Sequence, residues 1–363
     1  MGQRHGTLES VVTDAGFWRA KRVFVTGHTG FKGSWLSCWL QGLGAHMTGY
    51  SLPPPTTPSL FEGARIEKGM ASIAGDVREF EPLRAALAES CPEVVFHLAA
   101  QSLVRESYDH PRETYETNVM GTVNLLEAVR HAGGVKAVVI VTSDKCYENR
   151  EWVWGYREDE PLGGHDPYSS SKACAELVTS AYRSSFLTEG IAVASARAGN
   201  VIGGGDWAKD RLIPDMMRAA AAKTPLRLRN PKAVRPWQHV LDPLSGYLLL
   251  AERLCREGNV YGGAWNFGPR DEDAKPVEWI AREIAASRRG LRWEIDPSAH
   301  PHEAHYLKLD CSKARSLLGW AARLNLGDAL SWTAQWYAAY DEGRDAGTLV
   351  REQINQYAGL LQA

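Results

Sequence analysis

Between residues 22 and 199, short apolar runs alternate with stretches of helical spacing, and this rhythm constrains the fold more than any other feature of the chain. The runs are RVFVT (22–26), AHMTGYSL (45–52), MASIAGDV (70–77), EVVFHLAA (93–100), VKAVVIVT (135–142) and IAVASARAG (191–199). Between them, KGSWLSCWLQGLG (32–44), EPLRAALAES (81–90), ETYETNVMGTVNLLEAVRHAG (113–133) and PYSSSKACAELVTSAYRSSFLTEG (167–190) read as helices. Strands that are apolar almost throughout are covered on both faces, and the intervening helices supply the covers. The expected class is α/β, a doubly wound parallel sheet. Beyond residue 200 the rhythm breaks into Gly-, Asp- and Trp-rich loops, with helices expected near 211–223, 241–257, 276–288, 312–318 and 326–343. The chain of 363 residues is long enough for two units. We expect a nucleotide-binding domain over 1–199 and a smaller C-terminal substrate-binding domain over 200–363, with a segment near 235–270 that can return to the first.

Composition removes several classes of function. A formal net charge of -2 provides no long-range field toward nucleic acid or anionic membranes. No stretch approaches the roughly 18 apolar residues of a membrane span. The first residues, MGQRHGTLESVVTDAGFW, lack the apolar segment of a secretory signal, and Gly6 stands where a myristoylation motif needs Ser or Thr. Cys38, Cys91, Cys146, Cys174, Cys255 and Cys311 form no CxxC pair and suit the reduced thiols of a cytoplasmic protein. HPHEAHY places His300, His302 and His305 close together, but the spacing fits no common metal scheme, so no metal is expected.

The segment VTGHTGFKG sets Gly27, Gly30 and Gly33 between the first strand and the first helix, the signature of a Rossmann-type dinucleotide loop. Glycine lets the backbone approach a pyrophosphate, and the helix that follows offers free N–H groups and a positive dipole end. The acid that usually grips the adenosine ribose is missing, because GYSLPPP offers Ser51 at the second strand's end. No Arg for a 2′-phosphate replaces it, so the reading leans to NAD. Asp76 and Val77, at the third strand's end, are candidate adenine contacts, with a helix N-cap the competing role for Asp76.

Tyr168 and Lys172 form a Y-x-x-x-K pair at the start of the helix after the fifth strand, and Ser143 ends that strand. A free phenol, with a pKa near 10, is a poor base at neutral pH. A lysine one helical turn away stabilises the phenolate, and Ser143 can hold the same substrate hydroxyl. Asp144 and Lys145 follow directly, so that a hydroxyl, a carboxylate and an amine stand in consecutive positions.

TGHTGFKGSWL, HLAAQSLVRESY, VTSDKCY, PYSSSK, ARAGNVIGGGDW and RPWQHVLDPLSGYL together resemble the extended short-chain dehydrogenase/reductase family, and within it the CDP-glucose 4,6-dehydratases, from about Phe17 to Trp320. The resemblance implies a homodimer built on two helices per subunit and an internal redox reaction on CDP-glucose. NAD takes hydride from carbon 4 of the hexose, water is lost across carbons 5 and 6, and the hydride returns to carbon 6. It also implies that Asp144 is the acid for the departing 6-hydroxyl. Lys145 stands where dTDP-glucose and GDP-mannose relatives carry Glu, which leaves open whether it is the carbon 5 base or an enolate-stabilising cation. Expected cofactor contacts are Gly27, Thr29, Gly30, Phe31, Lys32, Gly33, Asp76, Val77, Leu98, Ala99, Ala100, Gln101, Asn118, Thr142 and Arg197, with Tyr168 and Lys172. Expected substrate contacts are Ser102, Arg105, Asn200, Arg211, Arg235 and His302. The competing readings are a 4-epimerase or a dehydratase for another nucleotide, and a cofactor-bound regulator without turnover; the acid–amine couple favours dehydration.

Overall fold

The computed structural model describes residues 14–287, 291–296, 298 and 306–362. Seven strands make one parallel sheet: β1 (Arg22–Thr26), β2 (His46–Ser51), β3 (Met70–Ala74), β4 (Val94–His97), β5 (Ala137–Val141), β6 (Ala192–Ala198) and β7 (Gly263–Phe267). Their spatial order is β7-β6-β5-β4-β1-β2-β3. The doubly wound parallel sheet expected from the sequence is therefore present, with a seventh strand from far along the chain.

Alternation of side chains along each strand builds two cores, one per face. Val23, Val25, Val94, Phe96, Val139 and Val141 point to one face, where they meet Trp35, Trp39 and Leu244. Phe24, Val95, Val138 and Ile140 point to the other and meet Leu83, Leu87, Leu125, Leu126 and Val129. The first cover consists of helices α1 (Phe31–Gly42) and α6 (Leu241–Glu257) with α9 (Ala346–Gln362) packed against α1. The second consists of α2 (Phe80–Ser90), α3 (Gly121–His131) and α4 (Pro167–Ser185). A short helix, Pro111–Tyr115, and a π-helical turn, Glu116–Met120, lead into α3, so the long helix expected over 113–133 is interrupted in its first half.

The remaining segments sit over the carboxyl ends of the strands. They carry α5 (Leu212–Ala222), α7 (Val277–Ser287) and α8 (Leu326–Asp341), close to three of the expected helices. Short strand pairs stitch them together: Leu226–Leu228 with Trp293–Ile295, Val234–Pro236 with Ala274–Pro276, and Val201–Ile202 with Gln238–His239. The Trp35 indole N–H donates to the Gly204 carbonyl at 3.0 Å, tying α1 to this upper layer. Helix α9 is an addition to the sequence reading. It buries Leu349, Val350, Ile354, Tyr357 and Leu361 on one side, and Tyr357 packs edge-on against Trp39.

Candidate active site

After β1 the chain runs outward through β2 and β3, then returns to place β4 on the other side of β1. Loops leaving β1 and β4 therefore diverge, and a crevice opens at their carboxyl ends, where ligands bind in open α/β sheets. A cavity of about 600 Å³ occupies this place and continues under the upper layer.

The glycine loop forms one wall. Gly27 has φ +74°, and a Cβ there would lie 2.6 Å from the Ala99 amide nitrogen. A Cβ on Gly33 would lie 2.1 Å from the Gly27 carbonyl oxygen. Only glycine permits this tight fold-back. Gly30 is the N-cap of α1 and supplies no side-chain cap, and the first turn of α1 holds no acid. Its free N–H groups thus face the crevice without an internal anion, the arrangement a dinucleotide pyrophosphate requires. Thr29, Phe31 and Lys32 line the cavity, as do Leu98, Ala99, Ala100 and Gln101 after β4. Ser51, at the end of β2, shares a 2.8 Å hydrogen bond with Thr29. Burial pulls the Lys32 ammonium down to about 7, and the neighbouring Lys172 and Arg211 charges act in the same direction.

The opposite wall carries the phenol, the amine and the hydroxyl. Pro167 and the Asp166 cap start α4 so that Tyr168 and Lys172 project from its first two turns. Tyr168 is hydrogen-bonded to Ser143. Lys172 Nζ donates to the Val141 carbonyl at 3.3 Å. Burial pushes the Tyr168 phenol up to about 12, against the pull of the Ser143 hydrogen bond. Burial pushes the Lys172 ammonium down to about 8, opposed by the Glu176 carboxylate. With the two values pushed apart, the Lys172 ammonium is the more acidic group and stands beside the phenol, where its charge can stabilise a phenolate that takes a proton from a substrate hydroxyl.

Ser143 begins a single 3₁₀ turn, Asp144–Cys146, which swings Asp144 back under the cavity. Asp144 is 2% exposed, accepts from the Ser143 hydroxyl at 3.0 Å through Oδ1, and keeps Oδ2 without a hydrogen-bond partner. Burial raises its pKa, with the Lys145 charge and the Ser143 bond opposing. A buried carboxyl group with an orphan oxygen favours the protonated form and so can act as an acid. Lys145 lines the same cavity and is half-buried.

Basic side chains surround the outer part. Arg235 is buried near Asp144 and lines the cavity, as does Asn200. Arg211 pairs with Asp206 at 3.0 Å and donates to the Ser102 hydroxyl at 3.0 Å. Arg105 reaches Asp210 at 3.6 Å.

Four expected site residues lie outside the cavity lining. Asp76 closes a turn onto Arg78, accepting from its amide at 2.9 Å and its guanidinium at 2.8 Å; Glu79, not Asp76, occupies the N-cap position of α2 and makes no side-chain cap bond. Val77 is core, pressed beneath Gly121. Asn118 braces the site from behind, donating to the Gln101 carbonyl at 2.9 Å and the Ser171 hydroxyl at 2.8 Å. Arg197 is buried against Glu176 at 2.9 Å. Thr142 lines the cavity while its hydroxyl donates to Glu176. His302 lies outside the described residues. Among those described, no cluster of His, Cys, Asp or Glu can hold a metal ion, and no helix is long and apolar enough to cross a membrane. The sequence reading missed Asp206, Asp210, Arg229 and Trp237, which also line the cavity but sit in loops with no periodic signal.

Comparison with known proteins places this arrangement. Residues 24–332 match the family model described as GDP-mannose 4,6 dehydratase. The chain belongs to the GDP-mannose 4,6 dehydratase family. Within that family it is 57% identical to a CDP-glucose 4,6-dehydratase of Salmonella typhimurium over 351 residues, which is 95% of this chain and 98% of the relative. It is 31% identical to a dTDP-glucose 4,6-dehydratase of Streptomyces antibioticus, over 73% of this chain and 75% of the relative. Among solved structures, MoeE5 in complex with UDP-glucuronic acid and NAD superposes with a TM-score of 0.74 at 28% identity, over 88% of this chain and 99% of that one. The expected resemblance to extended short-chain dehydrogenase/reductase dehydratases is borne out.

Proposed function

We propose that the protein is an NAD-dependent nucleotide-sugar 4,6-dehydratase, a hydro-lyase that converts CDP-D-glucose to CDP-4-keto-6-deoxy-D-glucose. The observation that carries this reading is Asp144: a buried, hydrogen-bond-deficient carboxyl group beside Lys145, in the cavity that also holds Tyr168 and Lys172. Epimerisation needs the phenol and the amine but not an acid here. The extensive identity to a CDP-glucose 4,6-dehydratase supports cytidine as the base.

Bound along the glycine loop, NAD supplies a reversible hydride acceptor. The chain's own groups do the rest. Tyr168 Oη takes the proton of the sugar's 4-hydroxyl, and the Lys172 ammonium lowers the cost of the phenolate. Ser143 holds the same oxygen. Once carbon 4 is a ketone, the hydrogen on carbon 5 is acidic. The carbon 5 proton leaves with Lys145 acting either as the base, through a neutral amine, or as the ammonium that stabilises the enolate while water takes the proton, and Asp144 gives its own proton to the oxygen leaving carbon 6, so that one water departs. Arg211 and Arg235 hold the diphosphate by charge-assisted hydrogen bonds. Exposed Tyr115, Met120 and Leu177, carried by α4 and the turns leading into α3, support a homodimer formed on these elements. The exposed free thiol of Cys91 supports a reducing, cytoplasmic setting.

The test is turnover of CDP-D-glucose with NAD, followed by the ultraviolet absorbance of 4-keto sugars in alkali, beside dTDP- and GDP-sugars. Preferred conversion of the cytidine substrate is expected. Interconversion at carbon 4 without water loss would replace this reading with epimerisation.

A further inference from the structure

One buried ion pair behind the site is left over from the chemistry above. Glu176 lies on α4, one turn beyond Lys172 and two beyond Tyr168. Its Oε1 accepts from the Thr142 hydroxyl, and its Oε2 accepts from the Ser195 hydroxyl at 2.6 Å and from Arg197 Nη2 at 2.9 Å. Both side chains of the pair are 3% exposed. Arg197 Nη1 donates to the Tyr147 hydroxyl at 2.7 Å and to the Glu158 carbonyl at 3.0 Å. The Tyr147 hydroxyl donates onward to Asn266 Oδ1 at 2.8 Å.

Such a network is costly. A buried ion pair is often no more stabilising than apolar residues of the same volume. Here the location gives it a purpose. Thr142 immediately precedes Ser143, so the Glu176 carboxylate clamps the turn that carries Ser143, Asp144 and Lys145 to the helix that carries Tyr168 and Lys172. Ser195 and Arg197 fix that carboxylate to β6. The titratable groups acting on Lys172 are Glu176 on its own helix, Cys146 from the turn after β5, His97 at the end of β4 and Lys32 on α1. Burial pulls His97 down to about 3 and raises the Cys146 thiol, so neither supplies a charge at neutral pH. The Lys32 charge opposes that of Lys172. The carboxylate in the group is Glu176. Desolvation works against its ionisation, but the Arg197 charge and three hydrogen bonds outweigh it and hold its pKa below the usual value.

We propose that Glu176, anchored by Arg197, is a positioning residue for the dehydratase reaction: it sets the register between the Ser143–Lys145 turn and the Tyr168–Lys172 helix, and its negative charge keeps Lys172 protonated beside the phenol. The catalytic consequence rests on the function proposed above; the effect on Lys172 does not.

The experiment therefore reads Lys172 directly in the protein without cofactor. Competitive labelling with acetic anhydride across pH, read by mass spectrometry of the Lys172 peptide, gives the titration of that amine. Glu176→Gln keeps the shape and removes the charge. It is expected to move the Lys172 titration down by about one pH unit, the smaller end of what a neighbouring charge imparts. Glu176→Asp keeps the charge and should restore the titration. In the loaded enzyme, Glu176→Gln should shift the acidic limb of kcat/KM to higher pH, since a less charged Lys172 stabilises the phenolate less. Should Glu176→Gln leave an unpaired Arg197 that prevents folding, Glu176→Gln/Arg197→Met removes both charges and is expected to move Lys172 in the same direction. An unchanged Lys172 titration in a folded variant, or equal damage from Gln and Asp, overturns the proposal. Failure to turn over CDP-D-glucose, with the Lys172 shift intact, would instead count against the proposed function alone.

Discussion

Two carboxyl groups are buried beside the end of β5, Asp144 in the turn that follows it and Glu176 reaching Thr142 from α4, and are treated in opposite ways. Glu176 receives three donors, one of them an arginine, and its pKa falls. Asp144 receives one hydroxyl, keeps an oxygen unpaired, and its pKa rises. The physics of burial is the same for both; the difference lies in the partners. A satisfied carboxylate is fixed in its charge and serves as framework. An unsatisfied one is held close to protonation and can give a proton away. Asp144 lines the cavity and Glu176 stands behind it, and hydrogen-bond accounting agrees with that division.

Several experiments can break that contrast. The largest effect is expected from Tyr168→Phe, which removes the base for the 4-hydroxyl. Its kcat should fall by about 10³-fold or more, on the scale of losing a general base in concert with its stabilising partner, as read by product formation. Asp144→Asn should reduce water loss by roughly 10²- to 10³-fold while leaving oxidation at carbon 4, so reduced cofactor accumulates in single-turnover absorbance. If Glu176→Gln gave the same accumulation, the division into chemistry and framework would fail.

Stability should move the other way. Breaking a buried ion pair costs about 3–5 kcal/mol, so Glu176→Leu should lower the denaturant midpoint strongly, whereas Asp144→Asn should raise it slightly. The pH dependence follows the same signs. Glu176 has a depressed folded pKa, so its contribution is present above the unfolded carboxyl value and lost as pH falls through the folded one. Asp144 has a raised folded pKa, so its penalty is present at neutral pH and is relieved as pH falls through that value. Thermal scans of the two variants across pH 3 to about 8 should therefore diverge from the parent in opposite senses. The smallest effect is expected from Arg105→Ala. It removes a surface pair with Asp210, worth up to about 1 kcal/mol, and should change the midpoint little.

Much of this was legible in the sequence because it depends on periodicity and on motif position. Six of the seven sheet strands, the glycine loop and the residues Ser143, Asp144, Lys145, Tyr168 and Lys172 sit where alternation of strands and helices places them. Strand β7 was anticipated only as an unspecified returning segment near 235–270, since Gly263–Phe267 pairs with β6 across a long stretch of chain that follows no strand–helix rhythm. Arg197 was misplaced by strand parity. On β6, Ala194, Ala196 and Ala198 face one core, which sends Ser195 and Arg197 to the α4 side and into Glu176 rather than into the crevice. The N-cap alternative for Asp76 failed through a local turn, because an arginine two residues on holds its carboxylate and Glu79 takes the cap position. In each case a single tertiary or local partner decided what pattern alone left open.

The central claim is that phenol, acid and amine act on one hexose to carry a hydride internally from carbon 4 to carbon 6. Turnover of CDP-D-glucose deuterated at carbon 4, with the product examined by nuclear magnetic resonance, tests it most directly. The account predicts deuterium on carbon 6 of a product that has lost one water. Deuterium retained at carbon 4, or released to solvent, would contradict it.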